Sequence, residues 1–261
     1  QTKDGGCGLQ SLLRKRSRDI TGIMNGIDES LWNPQDDPLI FGGFNSCNQR
    51  GKKKNRQELL AMLGIEETGQ IVASIISRMT EQKGLELVRE VLDDLLGLHL
   101  SLIVLGVGNP EEESLMLQAM EQRRGRLCVK IEFNEQLAHR IVAGSDITLI
   151  PSKYEPSSLN QLYSLHYGTI PVVRNTGGLI DAIMDFNPSD GSGNGFIFDE
   201  YNSSSLLRAV KRACEVHSSP KMWKKLVNNA MEADFSWKKS ASLYKNLYSE
   251  CRNIYQDQQE G

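Results

Sequence analysis

The stretch Gln70–Gly108, QIVASIISRMTEQKGLELVREVLDDLLGLHLSLIVLGVG, decides the fold class. Two short apolar runs, Ile71–Ile76 and Leu100–Leu105, bracket a segment in which Leu85, Val88, Val91, Leu92 and Leu95 recur at helical spacing. Runs without polar alternation suit strands buried on both faces, the environment of a parallel sheet. Strand, helix and strand in that order form a βαβ unit. Working outward, Leu127–Ile131, Ile147–Ile150, Ile170–Val173 and Phe196–Phe198 read as further strands, with Leu137, Ile141 and Val142 at helical spacing between two of them. The pattern predicts an α/β chain built on a doubly wound parallel sheet. Three helical segments, near Leu206–Val216, Met222–Met231 and Trp237–Glu250, follow it.

Composition narrows the function classes. The chain has 261 residues, with 30 Lys+Arg against 33 Asp+Glu, so its formal charge is −3 and it carries no basic excess for a nucleic-acid backbone. Hydrophobic residues make up 39% and charged residues 24%, the balance of an ordinary globular protein. The most apolar stretch, Leu98 to Gly106, is far shorter than the roughly 18 residues that a membrane span needs, and it contains His99 and Ser101. Neither a nucleic-acid nor a membrane partner is expected. The five cysteines, Cys7, Cys47, Cys128, Cys214 and Cys251, are scattered without a C-x-x-C pair, which favours free thiols over disulfides or a zinc site.

Before the sheet, Gln1 to Trp32 reads as a connector, and residues 33–54 carry Pro34, Pro38, Gly42, Gly43 and Gly51 and end in Lys52-Lys53-Lys54. That composition predicts a polar, mobile loop with solvated lysines. The expected division is thus 1–54 as connector and loop, 55–235 as the sheet domain, and 236–261 as a C-terminal helix and tail.

Ligands of open parallel sheets bind beyond the carboxyl ends of the strands. After the first strand, Arg78 and Lys83 share one loop ahead of a helix that starts near Gly84, an arrangement that serves an anion or else simply places two cations on the surface. After the second, Gly106-Val107-Gly108-Asn109 precedes Glu111–Glu113. It lacks the third glycine of a dinucleotide fingerprint, so a tight turn with an acidic helix start is expected. After the fourth strand, Glu155 stands before Pro156 at the mouth of the next helix. After the fifth, Thr176-Gly177-Gly178 allows close backbone approach to a ligand.

The wording and order of these segments carry more than each alone. Ser77-Arg78-x-Thr80-x-Gln82-Lys83-Gly84, Ala138-His139-Arg140-Ile141, Pro151-Ser152-x-x-Glu155-Pro156-x-x-Leu159-Asn160-Gln161-Leu162-Tyr163, Tyr167-Gly168-Thr169-Ile170-Pro171 and Thr176-Gly177-Gly178-Leu179 closely resemble bacterial glycogen synthases and plant starch synthases. Asn25-Gly26-Ile27-Asp28, Trp32-Asn33-Pro34 and Asp234-Phe235-Ser236-Trp237 match the same family near both ends.

The resemblance implies a GT-B glycosyltransferase of the ADP-glucose type. It identifies this chain with the Rossmann-like C-terminal lobe, whose partner would be an N-terminal lobe with no counterpart before Gln1. The implied reaction is retaining transfer of glucose from ADP-glucose to the non-reducing end of an α-1,4-glucan, in the bacterial cytoplasm or the plastid stroma, with no cofactor. The isolated lobe is expected to be inactive. Carried onto this sequence, the family pattern makes Arg78, Lys83 and Glu155 the candidate catalytic residues, the two cations on the diphosphate and the carboxylate near the donor glucose. Phe133 stands where the family usually has a tyrosine packing on adenine, and Thr176 with Gly177 forms a phosphate-contacting turn. Ser157, Ser158, Leu159 and Tyr163 complete the implied donor site, with packing as the alternative role for Tyr163 and for His139. Two departures stand out: Ser157-Ser158 replaces the usual Cys-Gly, and Glu132 replaces a glycine. No Asp-x-Asp is present to hold a divalent metal. The alternative is a non-catalytic nucleotide- or glycan-associated module. A Rossmann oxidoreductase would need a G-x-G-x-x-G turn after the first strand, and Arg78–Gly84 supplies none.

Overall fold

A computed structural model describes residues 8–67 and 69–260, without the side chains of 254 and 257–260. In chain order the described residues form α1 (Gln10–Lys15), α2 (Arg50–Leu63), β1 (Ile71–Ile76), α3 (Leu85–Glu90), α4 (Leu92–Gly97), β2 (Leu100–Leu105), α5 (Pro110–Glu121), β3 (Leu127–Lys130) and α6 (Glu135–Gly144). They continue through β4 (Ile147–Ile150), α7 (Asn160–His166), β5 (Ile170–Arg174), α8 (Leu179–Ala182), β6 (Phe196–Phe198), α9 (Ser203–His217), α10 (Pro220–Met231) and α11 (Trp237–Glu260). The chain divides into two compact units, one of Gln1–Ser30 with Asp234–Gly261, the other of Leu31–Ala233.

The larger unit is the expected α/β fold. Its six strands are all parallel, in the order β3-β2-β1-β4-β5-β6. Every residue of β2 is buried, and so are the first five of β1, which explains why these strands read as apolar runs interrupted only by Ser74 and Ser101. One face is covered by α2 and α6, where Leu59, Leu60, Val72, Ile103, Leu105, Leu137 and Ile141 form one core cluster. Gly144 lets these two helices approach, because a Cβ there would lie 2.7 Å from Leu59 Cδ2.

Both sheet edges are closed by side chains and turns. On β3, Leu127 N–H donates to Arg123 O at 3.0 Å and Val129 N–H to Met120 Sδ at 3.1 Å. On β6, Ile197 N–H donates to Asp185 Oδ1 at 2.8 Å, and Arg212 bonds both Ile197 O and Asp185 Oδ2. These bonds occupy outward N–H groups that an edge strand otherwise presents to a second chain.

The segment expected as a mobile polar loop is instead structured. Lys52-Lys53-Lys54 lies within α2, and the boundary expected at 54–55 falls inside that helix. Lys53 and Lys54 are exposed. The Lys52 ammonium is turned inward, donating to Tyr167 O and Thr169 Oγ1, both at 2.9 Å, and burial pushes it down to about 7 although Asp146 opposes that shift. Gly43 and Gly51 serve close backbone approach here: a Cβ on Gly51 would sit 2.2 Å from Gly43 O. Asn55, fully buried, joins the two segments by accepting from Phe41 N–H at 2.7 Å and donating to Gly42 O and Gly51 O at 2.7 and 2.9 Å.

In the smaller unit, the two terminal motifs meet. Ile27 N–H donates to Phe235 O at 2.9 Å, Ile27 forms a parallel bridge with Ser236, and Ser240 Oγ donates to Met24 O at 2.7 Å. Gly26 is required for that approach, since a Cβ would lie 2.4 Å from Trp237 N. No helix among the described residues is long and apolar enough to cross a membrane.

Replacing Asn55 by Ala should leave the half-buried Phe41 N–H and Gly42 carbonyl without their partner. The expected loss is about 3 kcal/mol, read as a lower urea midpoint with an unchanged slope.

Candidate functional site

The strand order reverses between β1 and β4, so the connections on either side depart to opposite faces and a crevice opens beyond their carboxyl ends. The loops after β1 and β4 meet there. Lys153 N–H donates to Gln82 O at 2.8 Å, Gln82 Nε2 to Tyr154 O at 3.1 Å, and Asn160 Nδ2 to Ile76 O at 3.2 Å. Gly84, at φ +70°, permits the contact, because a Cβ would lie 2.2 Å from Pro151 O.

A polar junction occupies this seam. The Lys83 ammonium is paired with Glu155 Oε2, and the same oxygen accepts from Ser152 Oγ at 3.1 Å. Gly177, at φ +51°, brings the β5 loop onto Glu155, whose carbonyl would be 2.1 Å from a Cβ at that position and accepts Gly178 N–H at 2.9 Å. Arg174 Nη1 donates to Lys153 O at 2.5 Å. The Tyr201 ring receives both cations, Arg174 at 5.4 Å and Lys153 at 5.9 Å from its centroid. Its hydroxyl donates to Glu86, and burial together with that carboxylate holds the phenol above the ordinary tyrosine value.

Beside the junction lies a cleft of about 440 Å³ beyond β1, β2 and β3, lined among others by Trp32, Arg78, Val107, Phe133, Asn160 and Tyr163. The loop Gly106-Val107-Gly108 is not the tight turn its sequence suggests: it runs alongside the Arg78 loop, with Gly108 in a parallel bridge to Met79, and its glycines press on that loop. Cβ atoms at Gly106 and Gly108 would lie 1.8 Å from Ser77 O and 2.2 Å from Met79 O. Asn109 caps α5 by accepting Glu111 N–H at 2.9 Å. Phe133 is 92% exposed on the cleft rim, its ring open for stacking. Arg78 is exposed, and its side chain bonds no other described residue.

Behind the cleft stands an aromatic stack. Trp32 lies between His139, 3.6 Å away with planes 20° apart, and Tyr163, 3.9 Å away with planes 6° apart. His139 is 2% exposed and bonds Asp37 Oδ2 through Nδ1 at 2.7 Å; Tyr167 donates to the same oxygen at 2.6 Å. Burial alone would raise the Asp37 carboxyl, but the bonds from His139, Tyr167 and Leu39 N–H hold it below its ordinary value.

The residues singled out in the sequence therefore fall into two neighbouring groups. Arg78, Phe133 and Tyr163 line the cleft; Lys83, Glu155, Thr176 and Gly177 belong to the junction or its adjoining turn. Ser157, Ser158 and Leu159 connect Glu155 to α7, with Ser158 Oγ accepting Asn160 N–H at 3.3 Å. His139 is a buried packing residue. Trp32, Ser152 and Asn160, to which sequence assigns no role, are the side chains that the structure adds to the site.

Residues 55–232 match the glycosyl transferases group 1 family. The chain belongs to that family. It is 43% identical over 255 residues to glycogen synthase 1 of Methylococcus capsulatus, covering 96% of this chain and 52% of that protein. It is 42% identical over 249 residues to a glycogen synthase of Yersinia enterocolitica, covering 93% and 52%. The catalytic domain of Arabidopsis thaliana starch synthase IV, solved with ADP and acarbose, superposes with a TM-score of 0.88 at 33% identity, over 95% of this chain and 52% of that one. The chain thus spans about half the length of the curated relatives it matches. The architecture is the Rossmann-like one of GT-B glycosyltransferases.

Gly177→Ala should separate the β5 loop from Glu155 while leaving the sheet intact. The strain of a Cβ at this positive φ should cost about 1–3 kcal/mol, read as a lower melting temperature with little change in far-ultraviolet circular dichroism. Asp37 stabilises the fold above its ordinary value of 3.8, and that stabilisation is lost as pH falls through the depressed folded value. Asp37→Asn should lower the melting temperature at pH 7 and flatten its decline between about pH 5 and pH 2.

Proposed function

We propose that this chain is the donor-binding lobe of a retaining glucosyltransferase that moves glucose from ADP-glucose to the non-reducing end of an α-1,4-glucan. Its setting would be the bacterial cytoplasm or the plastid stroma. The observation that carries the reading is the adjacency of an aromatic-rimmed cleft and a cationic, glycine-built junction at one switch point. A nucleoside diphosphate sugar needs that combination: a flat apolar surface for the base, and cations with free N–H groups for the phosphates. The resemblance to glycogen synthases and to a starch synthase solved with ADP and acarbose supports adenine over other bases and an α-glucan as acceptor.

In this reading the base stacks on Phe133. The diphosphate meets Arg78, Lys83 and the N–H groups of Thr176 and Gly177, and the glucose lies toward Glu155. As the anomeric bond to the phosphate oxygen breaks, positive charge grows on the sugar and negative charge on the diphosphate. The cations act on the second of these. Loss of one such fixed donor costs about 3 kcal/mol, on the order of 10²- to 10³-fold in rate. The acceptor hydroxyl is oriented by the second lobe of the complete enzyme, so the isolated chain should bind ADP yet transfer no glucose.

Ser157-Ser158 favours the second reading, a nucleotide-binding module without catalysis, because a Cβ at 158 takes space that glycine leaves to the sugar. The two readings part on the ligand: the first expects ADP-glucose to bind at least as tightly as ADP, the second expects the glucose to weaken binding.

Calorimetry should find ADP binding that weakens about tenfold or more in Arg78→Ala, where one charge-assisted phosphate contact is lost. Phe133→Ala should weaken it further, while Phe133→Tyr keeps or improves it. Equal affinity for ADP and pyrophosphate would reject the base pocket.

A further inference from the structure

The two cations after β1 stand in different states. Arg78 is exposed and unpaired among the described residues, ready for an anion. Lys83 is not: its side chain is 14% exposed and its ammonium is held by Glu155, whose side chain is 5% exposed. An anion cannot gain Lys83 without displacing a carboxylate that already neutralises it.

The surroundings of Glu155 show which part can move. Its backbone is fixed by Gly178 N–H on the carbonyl and by the close approach of Gly177. Among the described residues its carboxylate is held only by Lys83 and by the hydroxyl of Ser152, which is fully buried. If Lys83 turns to another anion, the carboxylate keeps one donor, Ser152 Oγ, and is spared the full cost of a buried charge without a partner.

From this we infer that Lys83 and Glu155 form an exchange pair: a diphosphate takes Lys83 from Glu155, and Ser152 retains the released carboxylate in the crevice. The inference rests on the reading that a nucleoside diphosphate binds here. Glu155 then has two consequences of opposite sign. Before binding it neutralises Lys83 and weakens the site for anions; after binding it is freed beside the ligand. Occupation of the phosphate subsite delivers the carboxylate, so its availability is tied to the ligand.

The test is a double-mutant cycle read by calorimetry with ADP and with pyrophosphate. Glu155→Gln keeps the shape and removes the charge. It should bind both ligands about fivefold more tightly than the parent chain, or better, because the largely buried ion pair that competes for Lys83 is gone. Glu155→Asp, whose carboxylate sits one methylene farther back, should give a smaller gain in the same direction. In a Lys83→Ala background the gain should vanish. Melting temperatures of all variants report folding, and if Glu155→Gln does not fold, Glu155→Asp carries the comparison. ADP binding with unchanged or weaker affinity in a folded Glu155 variant overturns the exchange alone, and so does a gain that persists without Lys83. Absence of ADP binding in the parent and in every variant overturns the donor-site reading and the exchange with it.

Discussion

The reversal of strand order between β1 and β4 is the constraint on which the site depends. β1 pairs with β4 through Ala73↔Ile147 and Ser74↔Thr148 only, whereas its pairing with β2 runs along the whole strand. Asp146 supports that join by accepting Val72 N–H at 2.8 Å and pairing with Arg56. Beyond it the loops after the two strands must meet without a continuing ladder, so other contacts join them. The bonds between them come mainly from side chains, while close backbone approaches among the post-strand loops explain why glycine recurs at 84, 106, 108 and 177. At Gly84 and Gly177 the positive φ adds a second reason.

Once the loops are fixed at backbone level, their side chains fall into place as two surfaces. The β1 loop contributes to both, sending Arg78 to the cleft and Lys83 to the junction. Four residues lie between them, and the short turn Glu81–Lys83 between the strand and α3 makes the difference in direction. One loop thus spans the base-sized cleft and the charged seam, an arrangement suited to a ligand with an aromatic end and an anionic middle.

The sheet was legible because parallel strands buried on both faces leave apolar runs without polar alternation. Their ends differ from the expected ones by a single residue at Lys130 and Arg174. Strand order places the post-strand loops together, so the residues in them could be nominated from sequence. The region before the sheet was less legible. In α2 only Asn55, Leu59 and Leu60 are buried, and a helix whose start reads Arg-Gly-Lys-Lys-Lys has little apolar stripe to reveal it. Asp37 and Phe44 lie among turn-forming residues, and their burial follows from Tyr167, more than a hundred residues later.

Trp32 shows where local reading ends. Nothing near it in sequence announces a stack, yet it is held between His139 on α6 and Tyr163 on α7. These helices enter and leave β4, so the indole braces the cleft wall against the same strand that begins the Glu155 loop. Tyr163 faces the cleft, and His139 is tied to Asp37 and through it to Tyr167 just ahead of β5. The wall is therefore stiffened from behind by a hydrogen-bonded carboxylate and from the side by stacked rings. A rigid wall orders few further side chains when a flat ligand settles against it, and less of the binding energy is spent on ordering the protein. Phe133, exposed on the cleft rim, is the element left to adapt to what settles there.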